Sequence, residues 1–360
     1  MAFLFSILGF FLVRSGVISS VHSFATDPTR GIAMLVIFFI LMIYALILIM
    51  KKPYKGQGRY PQEGRSFLAH DNLIFINNIF LLTLAATILL GTLYPIVTDV
   101  LTGYKISVGE PYYNKIYIPI TFLMIFFMVF APFVTAKGVK NSRKKLIIIS
   151  FIFSAIIAAA ISYKYSQLIS IRLALGIFLG FWLIISTLPI IISNLTLKIK
   201  TSPKYFAMLI GHFGFGVLVL SISFHYLLTQ NKLVNIAQGD EVYMEGYLFE
   251  NTKSEIGVKE NYIYKKHDIK VTESDNLIEV LSPERRVYSP SSKRTNEAAV
   301  NYGIWHDIYL VPGSSSLATQ EDNNKPVFKI YINYFMSFIW LGAILIALSA
   351  IAGLRKNRNV

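Results

Sequence analysis

The sequence contains no cysteine among its 360 residues. The chain therefore forms no disulfide and has no thiol nucleophile or thiolate ligand, so sulfur chemistry near it must use the thiols of a partner. Charged residues are also scarce, at 15% of the chain. Since a typical soluble domain carries about 25% charged residues, this shortage argues against a chain that is surrounded by water along its whole length.

Hydrophobic residues make up 54% of the chain, and many of them are grouped in long apolar runs. A helix needs roughly 20 apolar residues to cross a bilayer. Residues 1–13 form a shorter run without the basic head or cleavage site of a secretory signal, and we interpret it as a span cut short at its beginning. The seven full-length runs lie near 31–50, 72–93, 116–136, 146–163, 173–195, 206–228 and 334–354.

The connections between these runs alternate in charge. One set, which includes 51–65, 137–145, 198–204 and the C-terminal tail, holds 16 basic and 2 acidic residues, whereas the opposite short loops hold 6 basic and 3 acidic residues. By the positive-inside rule, the first set is cytoplasmic. This topology accounts for the net charge of +14, so no nucleic-acid partner is required to explain it.

The segment 229–332 lies on the other side by this rule and alternates apolar and polar residues between turn signals, which is typical of β-strands. The predicted fold class is an all-α polytopic membrane protein of about eight transmembrane helices, with a small β-rich external domain between the last two. The predicted domains are 1–228, a transmembrane region with an external loop at 14–30; 229–332, the external domain; and 333–360, the final helix with a basic cytoplasmic tail.

Two histidines are candidates for function. His212 lies within a span, about a turn and a half into a helix beginning near Phe206, and an ionisable residue in the membrane marks function by default. From chemistry alone it either bonds to a neighbouring helix or serves as a proton relay or a haem ligand. His22, in the external loop with Arg14 and Arg30, is either an exposed loop residue or an axial ligand with the arginines near haem propionates.

Several segments together resemble one known family. FLVRSGVISSVHSFATDPTRG at 11–31 is similar to a loop of the CcmF proteins of cytochrome c maturation, which handle haem in a haem lyase complex. The resemblance continues in the same order through KISVGEPYYN at 105–114, IGHFGFGVLVL at 210–220 and SPERRVY at 282–288. A relative that serves nitrite reductase has the same pattern. The glycines of GHFGFG are expected to allow close packing of helices.

The resemblance implies roles for the candidate residues. His22 matches the second of two external haem ligands, and His212 matches the second of two membrane ligands of a haem b, so both are expected to bind haem iron, with Arg14 and Arg30 also binding cofactor. No catalytic residue is implied in this chain. The expected reaction of the complete lyase is addition of apocytochrome c thiols to haem vinyl groups.

The sequence departs from this family in lacking the Trp-rich WWD segment and the first ligand of each pair. We expect either the C-terminal half of a split system or a truncated remnant. Whether the chain itself is part of an enzyme stays open at this point, and the alternatives are a haem transporter and a non-catalytic assembly subunit. The expected partners are the missing N-terminal half, a haem chaperone, a thiol-handling subunit, apocytochrome c and the lipid bilayer. The expected location is a bacterial inner membrane or a mitochondrial inner membrane, with the soluble domain on the periplasmic or equivalent side.

Overall fold

The structure is a computed structural model of the chain. It describes residues 2–14, 28–51, 66–104, 106–135, 138–139, 141–196, 202–289, 293–313 and 326–354. The chain divides into two compact units, Met1–Asn141 and Ser142–Val360.

Eight α-helices occur in the described ranges, and seven of them are long and apolar enough to cross a membrane. The remaining helix, α1, has 13 residues and a length of about 20 Å, short of the roughly 30 Å of hydrocarbon in a bilayer. The helices are α1 (Ala2–Arg14), α2 (Pro28–Lys51), α3 (His70–Thr102), α4 (Glu110–Met128), α5 (Asn141–Lys164), α6 (Ile171–Thr196), α7 (Pro203–Leu228) and α8 (Met336–Gly353).

In the first unit, α1 packs on α2 and α3 packs on α4. Gly91 of α3 faces two tyrosine rings of α4, and a Cβ at this position would lie 2.8 Å from Tyr112 Cε1 and from Tyr113 Oη. Tyr112 Oη donates a hydrogen bond to the Thr87 carbonyl at 3.2 Å. A two-stranded ladder, β1 (Val134–Thr135) and β2 (Gly138–Val139), lies at the end of this unit.

In the second unit, α7 packs between α6 and α8 through small residues. Ideal Cβ atoms at Gly214 of α7 and Gly342 of α8 would lie 3.1 Å and 2.9 Å from the carbonyl oxygen of the opposite glycine. On the other side of α7, a Cβ at Gly216 would lie 3.3 Å from the Gly180 carbonyl of α6. The expectation that the GHFGFG segment allows close helix packing is therefore confirmed.

In the described part of the segment between α7 and α8, ten strands form two antiparallel sheets. They are β3 (Gln230–Asn235), β4 (Glu241–Met244), β5 (Tyr247–Val258), β6 (Tyr262–Glu273), β7 (Asn276–Leu281), β8 (Glu284–Tyr288), β9 (Lys293–Glu297), β10 (Ala299–Asn301), β11 (His306–Pro312) and β12 (Val327–Tyr334). The smaller sheet has the order β10-β11-β12-β3. The larger has the order β4-β5-β6-β8-β9, with β7 also paired to β6.

The two sheets enclose a single apolar core, which is why alternate residues along the strands are hydrophobic. Phe249 and Ile269 of the larger sheet meet Leu310, Phe328 and Ile330 of the smaller one, and all five side chains are fully buried. The predicted fold class is confirmed: membrane-length helices carry a β-rich domain between the last two of them.

Candidate functional site

The candidate membrane ligand, His212, lies on α7 with its side chain half-buried. The helix begins at Pro203, three residues before the start expected from hydropathy, because Ser202 caps it: the Ser202 hydroxyl accepts a hydrogen bond from the Tyr205 backbone N–H. His212 is therefore about 14 Å from the start of a helix about 39 Å long. This position is deeper in the helix than the sequence predicted.

One hydrogen bond orients the His212 ring. Its Nδ1 lies 2.8 Å from the Met208 carbonyl oxygen, one turn earlier on the same helix. A carbonyl oxygen only accepts, so Nδ1 carries the proton and Nε2 of the neutral ring keeps its lone pair. Within the described residues, the Met208 carbonyl is the hydrogen-bond partner of this ring, so His212 does not bond to a neighbouring helix there.

The helical repeat places His212 and Gly216 on the same face of α7, since they are four residues apart. Gly216 contacts Ile184 and the Gly180 carbonyl on α6, whereas Gly214 contacts α8. The His212 side chain is therefore on the α6 side of α7, one helical turn before Gly216. The His212 side chain itself is half-buried.

The chemistry of His212 fits an axial ligand of haem iron. A metal-bound imidazole usually coordinates through one nitrogen while the other donates a hydrogen bond, and the bond to Met208 provides this arrangement with Nε2 as the coordinating atom. Among the described residues, no group of three or more His, Asp or Glu side chains is suited to a metal ion. Haem needs fewer protein ligands because the porphyrin supplies four of them.

Of the other candidates, Arg14 and Arg30 belong to the first compact unit, whereas His212 belongs to the second. His22 lies outside the described residues. Arg14 is the last residue of α1, and Arg30 is an exposed residue in the first turn of α2. The roles of His22, Arg14 and Arg30 as cofactor ligands therefore remain predictions.

A further histidine, His225, lies on α7 at the junction with the β-sandwich. Its Nδ1 is 2.9 Å from the Tyr334 carbonyl oxygen, so Nδ1 carries the proton here as well. Phe224 stacks on Phe335 with ring centroids 5.2 Å apart. His225 therefore joins the end of α7 to the end of β12, the strand that precedes α8, and is separated from His212 by about 20 Å of helix.

Two histidines inside the sandwich have partners of their own. His267 is buried, its Nδ1 lies 2.8 Å from Ser254 Oγ, and burial, with Lys265 and Arg285 nearby, lowers its pKa to about 4. His306 Nε2 lies 2.7 Å from Tyr247 Oη. Burial raises the pKa of that tyrosine. Sequence reasoning missed these pairs because the partners are 13 and 59 residues apart in the chain.

Comparison with known proteins relates this architecture to one group. Residues 227–333 match the model of the CcmF C-terminal beta-sandwich, which agrees with the strands observed between α7 and α8. One solved structure, titled Cytochrome c Heme Lyase CcmF, superposes with a TM-score of 0.69 at 12% identity, over 99% of this chain and 53% of that one. This likeness shows that the two proteins share a fold.

Curated relatives match the chain along almost its whole length. The cytochrome c-type biogenesis protein CcmF of Pseudomonas aeruginosa is 30% identical over 370 residues, covering 100% of this chain and 54% of that protein. CcmF of Escherichia coli is 27% identical and covers 97% of this chain and 53% of its own length. NrfE of Haemophilus influenzae is 28% identical, and the match covers 100% of this chain and 56% of that protein. The chain spans about half the length of the curated relatives it matches.

Proposed function

We propose, from the homology of this chain to the CcmF cytochrome c-type biogenesis proteins, that it handles haem for covalent attachment to apocytochrome c. The match includes the β-sandwich of that family and extends through the membrane helices. The hydrogen bond of His212 supports the assignment of haem binding to this residue. Its protonated Nδ1 is bonded to the Met208 carbonyl, and its Nε2 keeps its lone pair.

In this proposal His212 would hold the iron of a haem b within the membrane through Nε2. The bond from Nδ1 to Met208 holds the ring and leaves the Nε2 lone pair to bind the iron, and the close packing of α6 on α7 fixes the helix that carries it. A haem bound there would supply reversible one-electron chemistry of its iron. The chain would contribute position, ring orientation and an apolar surrounding, which are the terms that set the reduction potential.

His22 is proposed to bind a second haem, delivered as substrate at the outer face, with Arg14 and Arg30 binding its propionates. The two histidines are proposed to serve different haems because His22 falls between two apolar runs of the sequence, whereas His212 is about 14 Å inside a helix. The external side of the 14–30 connection and of the sandwich follows from the excess of basic residues in the opposite loops. We therefore place the sandwich on the periplasmic or equivalent side.

The attachment step itself requires partners. Each apocytochrome c thiol adds across a haem vinyl group, so that the sulfur forms a thioether and the proton goes to the neighbouring vinyl carbon. This chain has no cysteine and contributes none of these thiols. The proposed partners are a polypeptide that corresponds to the other half of the relatives, a haem chaperone, a thiol-handling subunit and apocytochrome c.

The test is a comparison of two histidines on one helix. The full chain is produced in membranes together with the polypeptide that corresponds to the other half of its relatives, and the b-type optical spectrum of the purified complex is recorded. His212→Ala should remove that spectrum because the iron loses its axial nitrogen. His225→Ala is the matched control and should retain the spectrum, since His225 is bonded to Tyr334 at the sandwich junction.

Two further measurements make the assignment specific. Added imidazole should partly restore the spectrum of His212→Ala by filling the vacated coordination position. His22→Ala should keep the b-type spectrum and lose receipt of haem from the chaperone. An unchanged spectrum in His212→Ala, or an equal loss in His225→Ala, would contradict the role given to His212.

A further inference from the structure

The turn between β10 and β11 exposes an unusual run of large uncharged side chains. Tyr302 is 82% exposed, Ile304 is 71% exposed and Trp305 is 62% exposed. We propose that this turn, residues 302–305, inserts into the lipid interface and seats the β-sandwich on the bilayer surface. The proposal rests on the position of this turn beside α8 and is independent of haem binding.

The first helical turn of α8 holds residues 302–305 in place. Ser337 Oγ donates a hydrogen bond to the Gly303 carbonyl at 2.8 Å, and the Phe335 backbone N–H donates to the Trp305 carbonyl at 2.8 Å. The Trp305 ring also packs on Phe338, with ring centroids 5.2 Å apart. These contacts keep the turn at the same height above the membrane as the beginning of α8.

The length of α8 sets that height. The helix has 18 residues and is about 27 Å long, slightly shorter than the roughly 30 Å of hydrocarbon that it must cross. Arg355, Lys356 and Arg358 follow it in the sequence and mark the opposite surface. Counting back about 20 residues from Arg355, the length of a membrane span, reaches Phe335. The hydrocarbon boundary therefore falls at the residue that is bonded to Trp305.

The composition of the turn suits this depth. Tryptophan and tyrosine favour the membrane interface because their rings are largely apolar and carry one polar group that stays hydrated. Ile304 between them has no polar group and gains from burial among acyl chains. Trp340, on α8 four residues beyond its start, is also 67% exposed and places a further aromatic ring near this boundary. The occupant of this surface is therefore the bilayer.

The absence of cysteine allows a clean test on the full chain. A single cysteine is introduced as Ile304→Cys, and the control is Val258→Cys, a site of similar exposure at 76%. Val258 ends β5, eleven residues from Tyr247 and about 36 Å along the strand. Tyr247 itself is bonded to His306, next to the turn. Both variants are placed in phosphatidylcholine nanodiscs, where a water-soluble reagent reaches both membrane faces.

The first measurement is the rate of reaction with a charged maleimide. The thiolate is the reacting form, and one unit's rise in thiol pKa lowers its population about tenfold. Ile304→Cys should therefore react at least about tenfold more slowly than Val258→Cys in nanodiscs. The two rates should become equal after the chain is unfolded in denaturant.

The second measurement shows whether lipid or protein shields residue 304 from water. Ile304→Cys carrying a small fluorophore should be quenched strongly by phosphatidylcholine brominated near the headgroup and less by lipid brominated near the chain ends. The fluorophore at Val258→Cys should be quenched by neither lipid. Equal maleimide rates in nanodiscs would overturn the proposal, and so would slow labelling of Ile304→Cys without quenching by brominated lipid, because that result means that protein covers the turn.

Discussion

The close contact between α7 and α8 gives a sharp prediction for Gly342→Ala. An added Cβ at this position would lie 2.8 Å from the Leu218 backbone nitrogen and 2.9 Å from both Leu218 Cα and the Gly214 carbonyl oxygen. All three are backbone atoms, so no rotation of a side chain relieves the overlap. Reaching ordinary contact at 3.4 Å requires the two helices to separate by about 0.6 Å at the crossing.

The magnitude follows from two opposing effects. Extra volume in a well-packed contact costs about 1–3 kcal/mol, whereas alanine is favoured over glycine within a helix by about 1 kcal/mol. Separation of the helices also weakens dispersion contacts along the whole interface, which in a membrane contribute much of the attraction between helices. The first two effects together give a loss of about 0–2 kcal/mol. Because the weakened dispersion contacts raise the lower limit, we expect Gly342→Ala to lower the free energy of unfolding by about 1–2 kcal/mol.

The assay is denaturant titration of the purified full chain in mixed micelles, followed by the helical circular dichroism signal. The matched control is Gly353→Ala on the same helix, where the added Cβ would lie 3.9 Å from Ala207 Cβ, an ordinary contact. The control should unfold at the same denaturant concentration as the unchanged protein or at a higher one. If Gly342→Ala proves as stable as Gly353→Ala, the tight backbone contact is not as the structure describes it.

Two further predictions concern the other unit and the sandwich. Gly91→Ala should destabilise the chain less than Gly342→Ala. Its added Cβ meets ring atoms of Tyr112 and Tyr113, and side chains move more readily than the backbone. The same denaturant titration compares the two variants. In the folded chain the pKa of His267 is about 4, below the ordinary histidine value of 6.5. Between these pH values the unfolded chain binds a proton that the folded chain does not, so stability should fall as pH is lowered through this interval. His267→Gln should flatten that dependence in thermal unfolding at a series of pH values, and an unchanged slope would contradict the shift.

The candidate site shows what a sequence can indicate about a membrane histidine and what it leaves undetermined. An imidazole in an apolar run stands out because charge and hydrogen-bonding capacity are costly in lipid, so His212 was identifiable from its neighbours in the chain. The sequence did not reveal which ring nitrogen keeps its lone pair. That depends on the distance from Nδ1 to the Met208 carbonyl, which only the folded helix and the ring rotamer define.

Local chemistry in the sequence determined the class of this protein. Apolar runs of span length, alternating loop charge and a two-residue period in 229–332 each reflect interactions of a residue with its solvent or its near neighbours, so they indicated membrane helices and a β-rich domain without knowledge of the fold. The tertiary structure alone decided three contacts: Gly214 of α7 against Gly342 of α8, Tyr247 with His306, and Trp305 beside Phe335. These contacts join residues that are 128, 59 and 30 positions apart, and packing selects such distant pairs through shape and volume, which no short stretch of the chain contains.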